Sequence, residues 1–202
     1  MLKTIFNPDN TFFRMCGKLA DILMLSVLWF ICCIPIVTIA SASGALYNST
    51  VKCLIKGENS PYKKFFDFLK ENFKQGIPVS LLIAAIFGIY IFEMGFLWDG
   101  AVQGMRMSFM FLIFGCVFAV IPIGFIGWII AIFSRYEFTF PQLAITSFKF
   151  VFAHLLGSVV ITIVLAASLY LSIKFAFPIV VMPCLSAVIS SFFIEKAFKK
   201  HQ

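Results

Sequence analysis

Apolar residues in this chain come in long blocks separated by short polar stretches, too long for the half-buried strands or helices of a water-soluble domain. Four blocks read plainly as membrane-spanning helices: Gly76–Trp98, Met107–Phe133, about Phe150–Ile173 and Phe175–Phe193. Each is near the ~20 residues that cross ~30 Å of hydrocarbon. Residues 99–104, Asp-Gly-Ala-Val-Gln-Gly, are a short link between the first two. Residues 137–149, with Phe138, Phe140, Pro141, Leu143, Ile145 and Phe148, are an aromatic, mildly amphipathic lead into the third.

The first block is different. From Leu19 to Ile55 it holds 37 residues, which as one helix would extend about 55 Å, more than a single straight span can use. Pro35 lies inside it, and a proline in a helix interior removes a hydrogen bond and disfavours helix at the preceding residue. After Pro35 the side chains become small: Thr38, Ala40, Ser41, Ser43, Gly44 and Ala45. Two readings follow, a single span ending near Leu46 or two short spans hinged at Pro35. Ile34-Pro35-Ile36 is echoed by Ile121-Pro122-Ile123 and Phe177-Pro178-Ile179, a weak hint of internal duplication.

Between the first block and the next lies a basic stretch, residues 56–75. Gly57 to Pro61 forms a turn, and Tyr62–Gln75 then sets Phe65, Phe66, Phe68, Leu69 and Phe73 mostly on one side, with Lys63, Lys64, Lys70, Glu71 and Lys74 on the other. That spacing predicts an interfacial amphipathic helix. Lys63, Lys64, Phe66, Lys70, Phe73 and Lys74 are its candidate contacts to a cytoplasmic protein or to anionic lipid. The chain is thus organised as one membrane domain: an N-terminal interfacial segment 1–18, a Pro35-hinged hairpin 19–55, an amphipathic helix 56–75, four spans over 76–195 and a basic tail 196–202.

Composition agrees, with 61% hydrophobic and 12% charged residues against about 45–50% and about 25% in soluble domains. A net charge of +7 would suggest nucleic acid in a soluble protein, but here the basic residues lie between apolar blocks and act as topology signals. With two crossings in residues 19–55 there are six spans, and 14 of the 16 Lys and Arg residues share one side, leaving only Arg106 and Lys174 opposite. With one crossing there are five spans and the split falls to 11 against 5, because Lys3, Arg14 and Lys18 change sides. The positive-inside rule favours six, with both termini and the 56–75 loop cytoplasmic. Residues 40–42, Ala-Ser-Ala, look like a signal-peptidase site, but the apolar run before them is longer than the ~7–15 residues of a secretory signal, so the expectation is no cleavage.

Chemistry is sparse. The six cysteines show neither a Cys-x-x-Cys pair nor a histidine at ligand spacing, and no nucleophile–base pair or phosphate-binding glycine loop is present. The expectation is a protein that is not an enzyme and uses no metal or cofactor. Glu93 lies near the outer end of its span and is a candidate membrane ionisable group, with Arg106 or Lys174 as possible ion-pair partners. Asn48-Ser49-Thr50 matches a glycosylation acceptor but faces inward in both topologies, and His154 reads as an interface residue. Pro35, Thr38, Ala40, Ser41, Gly44 and Ala45 form a small-residue face suited to close helix packing, or to a cavity or partner groove.

Leu28-Trp29, Ile34-Pro35-Ile-Val-Thr38-Ile-Ala, Ala45-Leu-Tyr47, and Phe65-Phe66-Asp-Phe-Leu-Lys-Glu-Asn72-Phe73-Lys-Gln75 together resemble the YesL family of bacterial membrane proteins, whose domain has no known function. Ala40 departs from it, since the family often has glycine there. The resemblance implies a multi-span cell-membrane protein of the kind commonly encoded beside sugar-import ABC transporters. The expected function is a non-enzymatic accessory component of carbohydrate uptake, in contact with the lipid bilayer and with sugar ABC transporter components or a sensor protein, but not with nucleic acid. Two alternatives are a self-sufficient small-solute transporter or channel, and a scaffold or sensor partner in carbohydrate signalling. The transporter is disfavoured by dry spans: Ser108 is the one conspicuous polar residue between Met107 and Phe133.

Overall fold

The computed structural model describes residues 11–175 and 181–199. The first ten residues of the expected interfacial segment, the Pro178 echo and the end of the basic tail from Lys200 lie outside the described residues. The protein is all-helical, without strands among the described residues. Helices α1 (Thr11–Cys32), α2 (Ile39–Ser49), α3 (Pro61–Glu71) and α4 (Phe73–Val102) are followed by α5 (Arg106–Phe118), α6 (Val120–Phe133), α7 (Phe140–Ala153), α8 (Leu155–Lys174) and α9 (Met182–Lys199). Among the described residues, three stretches are long and apolar enough to cross a membrane: Phe73–Val102, Arg106–Phe133 and Leu155–Ser172.

Helix α1 stops at Cys32, and Pro35 stands extended before a short 3-10 turn, Ile36–Thr38, that leads into α2. The Thr38 hydroxyl lies 2.5 Å from the Cys32 carbonyl and 2.7 Å from that of Pro35, so it covers backbone acceptors that the break exposes. Helix α2 then runs back along α1: Trp29 Nε1 donates to Ser43 Oγ at 3.0 Å, and Leu25 packs with Ala45 and Leu46. Beyond Ser49 the helix widens into a π-helical segment, Thr50–Ile55.

Pro122 and Pro183 each sit in the first turn of a helix, where a missing N–H costs nothing, and α6 starts at Val120 just after α5 ends at Phe118. Helix α7 starts where its sequence provides the cap: Thr139 and Gln142 form a capping box, with Pro141 in the first turn.

The amphipathic stretch divides at Asn72. Helix α3 begins at Pro61 after Ser60 takes a left-handed conformation, and it ends at Glu71, so Phe73 and Lys74 belong to α4. Phe65 is fully buried in a cluster with Leu25, Ala45, Leu46 and Cys184, and Phe68 stacks edge-on with Phe133 at 5.9 Å. Phe66 and Phe73 are exposed. The inner side of α3 therefore rests on α1, α2 and α6 of the same chain. Tyr62 ties α3 to α1 by donating to Asp21 Oδ1 at 2.7 Å, a bond that pushes its phenol up to about 12 and keeps it a donor at neutral pH.

A second cluster centres on Trp128, fully buried on α6 against Phe150 of α7, His154 and Phe198 of α9. Its indole N–H donates to Ser158 Oγ at 2.9 Å, and that hydroxyl lies 3.0 Å from the Val151 carbonyl. The far ends of α4 and α5 form a contrasting arm on which Phe92, Phe96, Trp98, Met107 and Phe118 are all exposed. Large apolar side chains left on the outside are what a hydrocarbon solvent requires.

Candidate functional site

Helices α1, α2, α4, α6, α8 and α9 surround a partly open chamber of about 600 Å³. Its walls are mostly apolar, with Trp29, Ile83, Ile126, Leu165 and Ile194 among them. Several serines reach it, yet most are occupied locally. Ser43 accepts the Trp29 indole, Ser168 donates to Leu165 O at 2.9 Å, and Ser186 donates to Pro183 O at 2.8 Å. Hydroxyls spent on their own helices offer little to water or to an ion. Ser190 is buried and without a hydrogen bond.

At Tyr47 the character changes. Tyr47 lines both this chamber and a second hollow of about 340 Å³, whose other walls are Asn48, Val51, Lys52, Lys56, Ser134, Arg135 and Tyr136. This hollow forms where the π-helical end of α2 meets the turn after α6. Asn48 Nδ2 donates to Ser134 O at 2.8 Å and pins the two together. Arg135 pairs with Glu195 of α9, and its guanidinium lies 5.2 Å from the centre of the Phe198 ring. The Tyr47 hydroxyl, on a residue only 4% exposed, faces the Glu195 carboxylate without reaching hydrogen-bond geometry. Lys52 and Lys56 are exposed and form no ion pair among the described residues.

The small-residue face of α2 looks elsewhere, into the chain's own helices. Ala40, Ser41 and Ala45 are fully buried. The Ala40 amide donates to Ser80 Oγ on α4 at 2.9 Å, and Ser41 Oγ donates to Asn72 O at 3.3 Å. A Cβ on Gly44 would stand 2.9 Å from Phe68 and 3.0 Å from Phe133. On the facing helix, a Cβ on Gly76 would fall 1.8 Å from Ser41 Oγ. Small residues here let α2 approach α3, α4 and α6 closely, while Pro35 and Thr38 form the turn before it.

The other candidates do not converge. Glu93, Arg106 and Lys174 are all exposed, and Glu93 pairs with neither cation. Lys174 instead lies 5.8 Å from the Tyr170 ring centre. Lys63, Phe66, Lys70, Phe73 and Lys74 are exposed along α3 and the start of α4, and Lys64 pairs with Glu58. Among the described residues no three His, Cys, Asp or Glu side chains gather as a metal site would need.

Residues 22–94, from α1 into α4, match the family described as "Protein of unknown function, DUF624". The match covers 73 of the 202 residues and is a likeness over that region. The DUF624 domain is found in YesL-type membrane proteins, and the match contains every residue, Leu28 to Gln75, on which the resemblance rests. No curated protein and no solved structure matches the chain. The DUF624 region supplies Tyr47, Lys52 and Lys56, whereas Arg135 and Glu195 come from helices beyond it. Sequence reasoning counted Lys52, Lys56 and Arg135 only as topology charges. The available signal was an arginine directly after one apolar block and a glutamate near the end of another.

Proposed function

We propose that this protein is a non-enzymatic accessory component of an ABC-type carbohydrate uptake system, crossing the cell membrane six times with both ends and the 56–75 segment in the cytoplasm. The observation that carries the non-conducting reading is the apolar chamber, whose few polar groups are scattered serines, two of them bonded to their own helices, with no charged side chain among its walls. The link to carbohydrate uptake comes from the YesL resemblance and the neighbouring genes it implies. Six crossings are supported by the distribution of Lys and Arg and by the break at Pro35. In this arrangement α3 lies at the cytoplasmic interface with Phe66, Phe73 and its lysines outward.

Purification of the tagged protein from native membranes tests the assignment, with subunits of a sugar importer expected to be enriched. Recovery without any transport or sensory component argues against it, and sugar flux through proteoliposomes containing this chain alone would make it a transporter. For the topology, Ile36→Cys is expected to react with an impermeant maleimide from outside the cell, above the labelling of the parent protein. Labelling only after permeabilisation would leave five crossings.

A further inference from the structure

We propose that the chamber and the basic hollow are two halves of one binding site for an anionic phospholipid, with its phosphate in the hollow and a hydrocarbon tail in the chamber. The halves meet at Tyr47, which lines both. A chamber of about 600 Å³ falls in the ~300–1,000 Å³ range of small-molecule sites. Its walls give dispersion contacts and few free hydrogen-bond groups, which suits hydrocarbon and not a sugar. Because it is partly open, a tail has a way in.

The hollow supplies the matching charge. Three cations line it, Lys52, Lys56 and Arg135. Glu195 offsets Arg135, and Glu58, the carboxylate that interacts with both lysines, is paired with Lys64. Lys52 and Lys56 therefore remain to neutralise an anion, at about 1 kcal/mol per basic residue near a lipid surface. The Tyr47 hydroxyl, buried and short of hydrogen-bond geometry to the Glu195 carboxylate it faces, stands at the junction, where a phosphate or glycerol-ester oxygen would accept a hydrogen bond from it. Free phosphate would use the hollow alone and a neutral lipid the chamber alone. An anionic phospholipid uses both.

Native mass spectrometry of the protein in uncharged detergent, with equimolar dioleoylphosphatidylglycerol and dioleoylphosphatidylcholine, tests this independently of any importer. One phosphatidylglycerol is expected per chain, preferred at least tenfold. Lys52→Gln with Lys56→Gln should abolish the preference, and both side chains are exposed, so the fold is kept. Lys18→Gln with Lys149→Gln, also exposed but outside the hollow, should leave it unchanged. Ala187→Phe, which fills the chamber from α9, should lower phosphatidylglycerol retention severalfold. If that variant is not monodisperse, Ala84→Phe on the α4 wall takes its place. Equal retention of the two lipids overturns the proposal, as do indifference to the Lys52 and Lys56 changes, equal loss from the Lys18 and Lys149 changes, or indifference to filling the chamber.

Discussion

Trp128→Ala is expected to lower stability by about 3 kcal/mol, read as a lower midpoint in SDS-titrated unfolding from mild micelles. Trp128 is fully buried, touches α7 through Phe150 and α9 through Phe198, and anchors Ser158 of α8 by its indole N–H. Removing the ring leaves a void joined by three helices and deletes one hydrogen bond. The loss falls toward the lower end of the large-to-small range for soluble cores, because a ring released into lipid stays out of water. Trp128→Phe keeps most of the volume but not the donor, and about 1 kcal/mol is expected. A loss as small for Ala as for Phe would mean that the void is refilled and that Trp128 does not hold α6, α7, α8 and α9 together.

Gly76→Leu is expected to be of similar severity for a different reason. The α2–α4 crossing leaves no room for a side chain at Gly76, since even a methyl group would meet Ser41 Oγ at 1.8 Å and the Ser41 backbone nitrogen at 3.3 Å. With Ala, Ser41 can rotate and give up its bond to Asn72 O, for about 1 kcal/mol. With Leu the helices must part, breaking the Ala40–Ser80 contact, and the cost rises to about 3 kcal/mol. On the same helix Gly88 is exposed and a Cβ there would meet nothing within 4 Å, so Gly88→Leu is expected to stay within about 0.5 kcal/mol of the parent. Thermal melts followed by size-exclusion chromatography separate the three variants. If Gly88→Leu were as harmful as Gly76→Leu, general helix propensity and not close approach would be the cause.

Both predictions depend on which small or aromatic residues face inward, and in a membrane protein that is hard to read. Block length and hydropathy identify the long helices directly, because spanning ~30 Å of hydrocarbon demands a minimum apolar length whatever the neighbours do. Pro35 marks the end of α1 for an equally local reason. Phe-rich α3 is less transparent. Its five apolar positions look equivalent by spacing, yet Phe65 and Phe68 pack inside while Phe66 and Phe73 stay outside. The chain turns at Asn72 and fills α3's inner side with its own helices. No periodicity distinguishes a face covered by protein from one covered by lipid, since both are apolar.

The amino-acid sequence by itself determined the helical membrane class, the candidate break at Pro35, the candidate crowded face of α2 and the resemblance to YesL-type proteins, all of which follow from local length, backbone chemistry or short-range pattern. Only the tertiary structure decided that Ser41 meets Gly76, that α3 rests on its own chain, and that Tyr47, Lys52, Arg135 and Glu195 stand together. Residues 47 and 195 lie 148 positions apart in the chain, and their meeting depends on how helices α2, α6 and α9 cross. Crossing is set by side-chain packing between helices, a property of pairs of surfaces that is not encoded in either surface alone.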